Sequence, residues 1–558
     1  MRPLKVVFLV GADSTATLLS IEAVCKLHPA VIPLAILRDT LRPNLATRIR
    51  NLRRNLRREG LSYLPARLVA AIQQLTESAV ERSYPAERGL QTLRKGFPDR
   101  CFDLNDLSGK YAVPLVAVGS LNSELARTTL AGFGADLGIV IGTRILKRST
   151  FGVPRLGSIN LHKGAVPDYR GMPPGFWELY YGERQAGVTV HFVDDTLDTG
   201  DIVAESSLDI LPLDTPDTLR TKLDIEGAKT LTAAITAVQS GEVPRTVQSQ
   251  KTANRPNSRP TRREIAELRQ RLPHWNVLSP WSSIMKNAIV LAVYHSGIFC
   301  LVRRLHKRQR TRGAIVLYHR VNDVSKDGVT TSLKRFASHM DMLSRWYKPV
   351  TSSEMVGRLR EKRDLPGTSV SVHFDDCYRD IYLNAFPIMQ AAGVPGTAFI
   401  STGFVDTDRV FAHDAKRSPF RFANLTREDL KVMVASGFEM GAHTINHVDL
   451  GTCPREAAEA EIKGSVAELE RLTGRRVSLF SFPFGRPTNT HGEVRDAVAA
   501  AGCTCMFSAF GGIVDSSTDL FDIPRFGASD LHSPVHLALE IEGISPALLI
   551  RRLRGTYR

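Results

Sequence analysis

The sequence predicts an α/β protein with two separate sheet domains, and three observations carry that prediction. Apolar runs alternate with a helical stretch from the start. Residues 5–10, 15–27 and 31–37 read as strand, helix and strand, the opening of a parallel sheet. The alternation restarts at Gly313, where AIVLYH, SVSVHF, GTAFIS, FEMGAH and VSLFSFP are strand-like runs with helical segments between them. Between the two lies QKTANRPNSRPTR at 250–262, polar and holding two prolines, which marks a domain edge. A chain of 558 residues is in any case too long for one core, since a domain takes roughly 100–200 residues.

The first domain is expected over 1–250. After the opening strands, Leu45, Ile49, Leu52 and Leu56 recur at helical spacing, with Arg48, Arg50, Arg53, Arg54, Arg57 and Arg58 interleaved. This basic amphipathic stretch belongs to an insertion at about 41–100. Two readings stay open for it: a helix packed by its leucines with arginines in water, or a helix that meets an anionic ligand or lipid surface. Strands return at 113–118, 137–141 and 158–161. Residues 187–193 alternate as a strand, and 201–208 follow as its hairpin partner.

Residues 251–312 read as a linker with a helical segment, and 313–558 as the second domain. The apolar run 288–302 is shorter than the ~20 residues that a spanning helix needs. A basic cluster follows at Arg303, Arg304, Lys307, Arg308, Arg310 and Arg312. Such a helix either packs on the second domain or rests on an anionic membrane surface.

The formal net charge is +16. It reads either as a solvated basic surface or as attraction to an anion: a sugar nucleotide, a lipid phosphate, a membrane surface or nucleic acid. The seven cysteines are sparse and odd in number, which argues against a disulfide framework. The short apolar run at the N-terminus lacks the length and cleavage site of a signal peptide, so a cytoplasmic location is expected, with peripheral attachment at the inner membrane surface as a variant.

Three clusters in the second half stand at the ends of strands, where α/β domains place their sites. The first, His373-Phe374-Asp375-Asp376-Cys377-Tyr378, has two adjacent carboxylates that a strand-to-loop turn can aim apart, one to a metal and one left as a base. In the second, Gly441-Ala442-His443-Thr444-Ile445-Asn446-His447, the histidines at i and i+4 are expected on one face of a helical turn, able to share a metal. The third is the loop Ser481-Phe482-Pro483-Phe484-Gly485.

This ordered set resembles the polysaccharide deacetylase family, with motifs T-F-D-D-G-Y, H-[ST]-x-x-H and R-x-P-[YF]-G. The resemblance spans about 313–525 and includes Leu317-Tyr318-His319-Arg320-Val321 and Ile523-Pro524-Arg525. It implies an irregular (β/α) barrel and a divalent ion of zinc type held by Asp376, His443 and His447. Asp375 would be the base, and the oxyanion would meet the backbone N–H of Tyr378. Tyr378, Pro483, Phe484, Gly485 and Arg525 would line the substrate groove. Cys377 stands for the motif glycine, His373 for the threonine, and Ser481 for the arginine that orients the base in the family. His532, after Leu531, is the one candidate for a late general acid.

In the first half the densest string is Ser158-Ile159-Asn160-Leu161-His162, continuing through Pro167, Tyr169, Arg170 and Gly171, then Gly187, Thr189 and His191, then Asp198 and Gly200. An Asn, a His and an Asp at strand ends suit acyl transfer to an amine: amide and imidazole donate to a developing oxyanion while a carboxylate tunes the imidazole. The string resembles the folate-dependent formyltransferase family over about 135–204. That resemblance implies a Rossmann-like sheet, 10-formyltetrahydrofolate as cosubstrate, and Asn160, His162 and Asp198 as catalytic residues. Ile141, Gly142, Arg144, Ile145 and Leu146 would form the folate pocket.

Together the two resemblances imply a bifunctional enzyme of surface-polysaccharide or lipopolysaccharide-type biosynthesis. Its substrates would be amino-sugar nucleotides or lipid-linked amino sugars, and nucleic acid is not expected among its partners. The rivals are a methionyl-tRNA-type formyltransferase with an accessory domain, and a membrane-surface binding protein with a degenerate deacetylase domain.

Overall fold

Seven strands form the first sheet: β1 (Leu4–Val10), β2 (Val31–Asp39), β3 (Leu115–Val118), β4 (Leu137–Ile141), β5 (Ser158–His162), β6 (Gln185–Phe192) and β7 (Ile202–Asp209). The computed structural model describes residues 2–243, 245–248, 256–275, 279–306, 312–325 and 327–546. The strand order is β3-β2-β1-β4-β5-β6-β7. The first five are parallel, while β6 runs antiparallel to both β5 and β7. Alternate side chains of β1 enter opposite cores: Val6, Phe8 and Val10 pack on one face, Val7 and Leu9 on the other. A sheet covered on both faces needs such continuously apolar strands. The order reverses between β1 and β4, and the crevice of a doubly wound sheet opens at that point.

The second sheet is parallel. Its order runs from Cys505–Phe507 through Leu479–Ser481, Glu439–Ala442, Gly396–Ile400, Thr368–Phe374 and Arg312–Tyr318 to Phe526–Gly527. Residues 520–527 draw its two edges together. Ile523 bridges Phe507, and Phe526 and Gly527 pair with Val316 and Leu317. This irregular closing run completes the barrel that the second motif set implies.

The chain divides into two compact units, Met1–Ala66 with Asp99–Asn276, and Arg67–Pro98 with Val277–Arg558. The expected insertion at 41–100 is therefore shared between them. It breaks at Gly60 (φ +71°) into helices Leu45–Glu59 and Tyr63–Arg82. The second of these, and the helix Ala86–Gly96, carry residues that pack in the second unit. The Tyr84 hydroxyl donates to Asp341, and Arg335 pairs with Glu81 at 2.7 Å. The expected linker also folds differently. Asn257 brackets the Arg170–Met172 backbone, and helix Arg262–Arg271 contributes Leu268 to a cluster with Phe176 and Trp177 in the first unit.

The apolar run at 288–302 is not one helix. It breaks at Gly297 (φ +84°) between Pro280–His295 and Ile298–His306, bent by 67°. No single described helix is long and apolar enough to cross a membrane. Lys307, Arg308 and Arg310 of the basic cluster lie outside the described residues. All seven cysteines are free thiols.

Candidate functional sites

The barrel of the second domain brings Asp375, Asp376, His443 and His447 together at the carboxyl ends of its strands. Asp375 and Asp376 follow Thr368–Phe374, and the turn puts Asp376 at φ +77°. That backbone state is costly for a residue with a Cβ and aims the two carboxylates apart. Asp376 faces the histidines, with His447 Nε2 3.0 Å and His443 Nε2 3.8 Å from its Oδ1. One ligand atom from each of the three lies within 4.8 Å of the others. The histidine segment is an extended loop with Thr444 (φ +62°) and His447 (φ +57°) left-handed, not the helical turn expected from the spacing.

The donor chemistry fits a divalent ion. Asp376 is 1% exposed, and its carboxylate is met by imidazole nitrogens, with His447 Nε2 at 3.0 Å, and by no backbone N–H or hydroxyl among the described residues. His443 donates its Nδ1–H to the Ser481 carbonyl at 2.7 Å, so its Nε2 lone pair faces Asp376. Burial pushes His443 down to about 4, which keeps it a neutral ligand. Burial also works to raise Asp376, but the adjacent His447 imidazole outweighs it and holds the carboxylate far below its usual range.

Asp375 turns the other way. Arg525 grips it with two parallel bonds, Nη1 to Oδ1 at 2.8 Å and Nη2 to Oδ2 at 2.7 Å. Burial would raise this carboxyl, and the guanidinium overrides that and keeps it low. Arg525 is fully buried. It lies on the closing run, with Nε bonded to the Ser508 carbonyl at 2.6 Å and Nη2 to Ser481 Oγ at 2.7 Å. Arg525 is thus no groove residue. It occupies the orienting role left vacant by Ser481.

The other expected groove residues divide. Phe484 (φ +63°) is 49% exposed, with its ring edge-on to His447 at 4.9 Å. Pro483 and Gly485 are buried, so they shape the loop rather than line a groove. A Cβ on Gly485 would lie 2.2 Å from that of Ala509. Tyr378 is buried too, its hydroxyl donating to Asp414 at 2.7 Å and meeting His413 Nε2 at 2.9 Å. His413, whose Nε2 lies 3.8 Å from Asp376 Oδ2, belongs to no motif read in the sequence. His532 is a half-buried histidine among Lys286, Arg335 and Ser529, pushed by desolvation down to about 3, and is not brought to the carboxylates. His373 and Cys377 are buried supports, the former held by Ser352 Oγ at 2.7 Å.

The first sheet assembles the second constellation through register. β5 pairs with β6 so that Asn160 lies opposite His191 and His162 opposite Thr189. Asp198 (φ +56°) turns back on both histidines: His162 Nδ1 is 3.5 Å from Oδ2 and His191 Nε2 is 3.6 Å from Oδ1. Asn160 Nδ2 is 3.2 Å from His191 Nε2 and 3.5 Å from Asp198 Oδ1. His191 donates Nδ1–H to the Phe192 carbonyl at 2.8 Å, so its Nε2 accepts from Asn160 and fixes the amide. His162 donates Nε2–H to the Tyr169 carbonyl at 2.7 Å, and Gly171 N–H donates to Asp198 Oδ2 at 3.0 Å. Burial lowers His162. Asp198 is lowered despite burial, by His191 and then His162. His191 was legible as a motif letter, but its place in the cluster comes from strand register.

The expected folate residues follow β4, at the switch point. Gly142 (φ +60°) lets the loop pass so close to Gly11 that a Cβ there would lie 2.2 Å from the Gly142 oxygen. Ile145 is 71% exposed, while Ile141 and Leu146 are buried in the two cores and serve as anchors. The Arg144 guanidinium bonds the Leu41 carbonyl. An exposed apolar residue on a loop at the switch point suits a flat heterocycle.

Family models match both regions: one described as formyl transferase over residues 91–235, the other as polysaccharide deacetylase over residues 362–506. The chain joins a formyl transferase domain to a polysaccharide deacetylase domain. A methionyl-tRNA formyltransferase of Flavobacterium johnsoniae is 33% identical over 129 residues, which is 23% of this chain and 41% of that protein. The chain therefore spans less than half the length of that relative. Streptococcus pyogenes deacetylase PplD, in complex with acetate, is 20% identical with a TM-score of 0.37, over 42% of this chain and 99% of that one. Glycinamide ribonucleotide transformylase 1 from Symbiobacterium toebii is 15% identical with a TM-score of 0.29, over 43% and 89%. In the deacetylase domain all four motif carboxylates and imidazoles converge; in the formyl transferase domain the Asn, His and Asp do.

Proposed function

We propose that the chain is a bifunctional enzyme acting on amino sugars in surface-polysaccharide or lipopolysaccharide-type biosynthesis. The formyl transferase domain moves a formyl group from 10-formyltetrahydrofolate to a sugar amine, and the deacetylase domain hydrolyses the N-acyl amide of an amino sugar. The observation that carries the reading is the buried carboxylate of Asp376 facing the imidazoles of His443 and His447, beside a second carboxylate that Arg525 keeps ionised.

Asp376, His443 and His447 would hold a divalent ion of zinc type, which when bound polarises an amide carbonyl and acidifies a water. Asp375 would accept a proton from the attacking water, and its ionised state before the step is what Arg525 secures. The exposed ring of Phe484 borders the mouth through which a sugar enters. In the formyl transferase domain the sugar amine would attack the formyl carbon, and as the bond from that carbon to the folate nitrogen breaks, the amine's proton would pass by way of Asp198 and His162 to that nitrogen. The Asn160 N–H that reaches Asp198 only at 3.5 Å is free to turn to the developing oxyanion. The net charge of +16 suits sugars carried on nucleotide or lipid phosphates.

The test incubates the full chain and 10-formyltetrahydrofolate with nucleotide-linked amino sugars, their N-acetyl forms and methionyl-tRNA, read by mass. Gain of a formyl group on free sugar amines and loss of acetyl from the N-acetyl forms are expected. Formylation of the tRNA alone, or no mass change on any sugar, contradicts the reading.

A further inference from the structure

The helix Leu45–Glu59 is mounted with its sides reversed. Thr47, Asn51, Asn55 and Glu59, four residues apart, are half-buried together with Leu56, while Leu45, Ile49 and Leu52 stand 72%, 41% and 38% exposed. None of its fifteen residues is buried. A surface helix ordinarily turns its apolar stripe to the core. Here the stripe of Leu45, Ile49, Leu52 and Leu56 covers an arc of about 60°, flanked about 70° away by Arg48 on one side and Arg53 on the other. Arg50, Arg54 and Arg57 lie further round. The exposed apolar surface continues at Leu41 (45%), Leu61 (82%) and Leu64 (44%).

The mounting is built. Asn44 caps the helix by accepting from Thr47 N at 2.9 Å, and Arg144 bonds the Leu41 carbonyl ahead of it. Behind it, Arg58 Nη1 donates to Ser258 Oγ at 2.9 Å and Arg262 Nη1 to the Ser62 carbonyl at 2.8 Å. Ser258 in turn accepts from Trp177 Nε1 at 3.0 Å, beside the loop that positions Gly171. The polar side is thus spent on the protein, and Leu45, Ile49 and Leu52 of the stripe and most of the arginines are left over.

We infer that this helix docks the first unit flat on the headgroup layer of an anionic bilayer, with the leucine stripe at the acyl boundary and the arginines on lipid phosphates. The two halves of the surface select this occupant together. A soluble nucleotide would neutralise arginines and leave the leucines in water. A second copy would cover the leucines and set one array of arginines against another. An anionic bilayer supplies an apolar layer and a phosphate layer at the spacing of a helix radius. The inference goes beyond the two catalytic assignments and does not depend on them, because association is read without turnover.

The test sediments the full chain with phosphatidylcholine vesicles and with vesicles in which about a quarter of that lipid is replaced by phosphatidylglycerol. Association with the anionic vesicles at least about tenfold stronger than with the neutral ones, weakening as salt rises, is expected. Leu45→Glu with Leu52→Glu abolishes it, and Arg53→Gln with Arg57→Gln removes the preference for anionic lipid. These side chains are exposed, so the variants keep the fold, checked by an unchanged melting temperature. No association, equal association with both vesicles, wild-type association of the leucine variant, or a solution dimer that this variant dissociates would each overturn the inference.

Discussion

Arg525 is the residue whose role depends most on the fold. It is 150 positions from Asp375 in sequence and makes both hydrogen bonds to its carboxylate. Replacing it by methionine leaves a buried carboxylate unpaired, which costs on the order of 3–5 kcal/mol. Arg525→Met should therefore lower the unfolding free energy of the deacetylase domain by that amount, read as a lower denaturant midpoint, as well as end its hydrolysis. A midpoint equal to wild type would show the pair to be dispensable. Glu178 offers a second prediction in the other domain. It is 2% exposed, and burial pushes its carboxyl up to about 7 from an ordinary 4.5. Folded Glu178 holds its proton where the unfolded chain has lost it. Stability is thus full below about pH 4.5 and is lost as pH rises through about 7. In Glu178→Gln the denaturant midpoint of the formyl transferase domain should fall less than wild type between about pH 5 and about pH 8. Parallel pH profiles of the two proteins would contradict it.

Among the elements, strand ends were legible and loop destinations were not. Runs such as LGIVI and TSVSVHF can only be buried strands, and their ends placed both motif sets correctly. The twin carboxylates diverge as their position at a strand end implies. The His443–His447 spacing suggested a helical turn, but the pair sits on an extended loop whose left-handed residues no spacing announces. His413 carried no signal beyond a histidine next to an aspartate. The polar run 250–262 looked like a linker because prolines and small polar residues serve equally as spacer or as strap. Asn257 shows the strap: its N donates to the Arg170 carbonyl at 2.8 Å and its carbonyl accepts from Met172 N at 3.1 Å. Gly171 between them has φ +89°, and a Cβ there would lie 2.2 Å from the Asn257 oxygen. Gly171→Ala should displace the N–H that Asp198 accepts and cut formyl transfer by about a hundredfold while the deacetylase domain is untouched. Loss of both activities together would mean general unfolding instead.

At the scale of the molecule, the sequence showed two α/β domains but not how the chain divides between them. An amphipathic helix announces that it must cover something, not which sheet it covers. Residues 67–98 follow two strands of the first unit yet pack with the second, where Val80, Tyr84 and Leu93 are buried. A fragment of 277–558 alone should therefore be poorly soluble, and supplying 67–98 in the same chain should restore it; a stable, monodisperse 277–558 fragment would contradict that packing. The central claim concerns the buried triad of the deacetylase domain, and metal content per chain tests it most directly. The full chain, stripped with a chelator and reloaded with zinc, should bind about one tight equivalent. His447→Ala and Asp376→Asn should bind none. Asp375→Asn should retain the metal while its hydrolysis of N-acetyl amino sugars falls by about 10²–10⁴-fold. A wild-type chain that holds no ion, or an Asp376→Asn chain that holds it as tightly, would contradict the account.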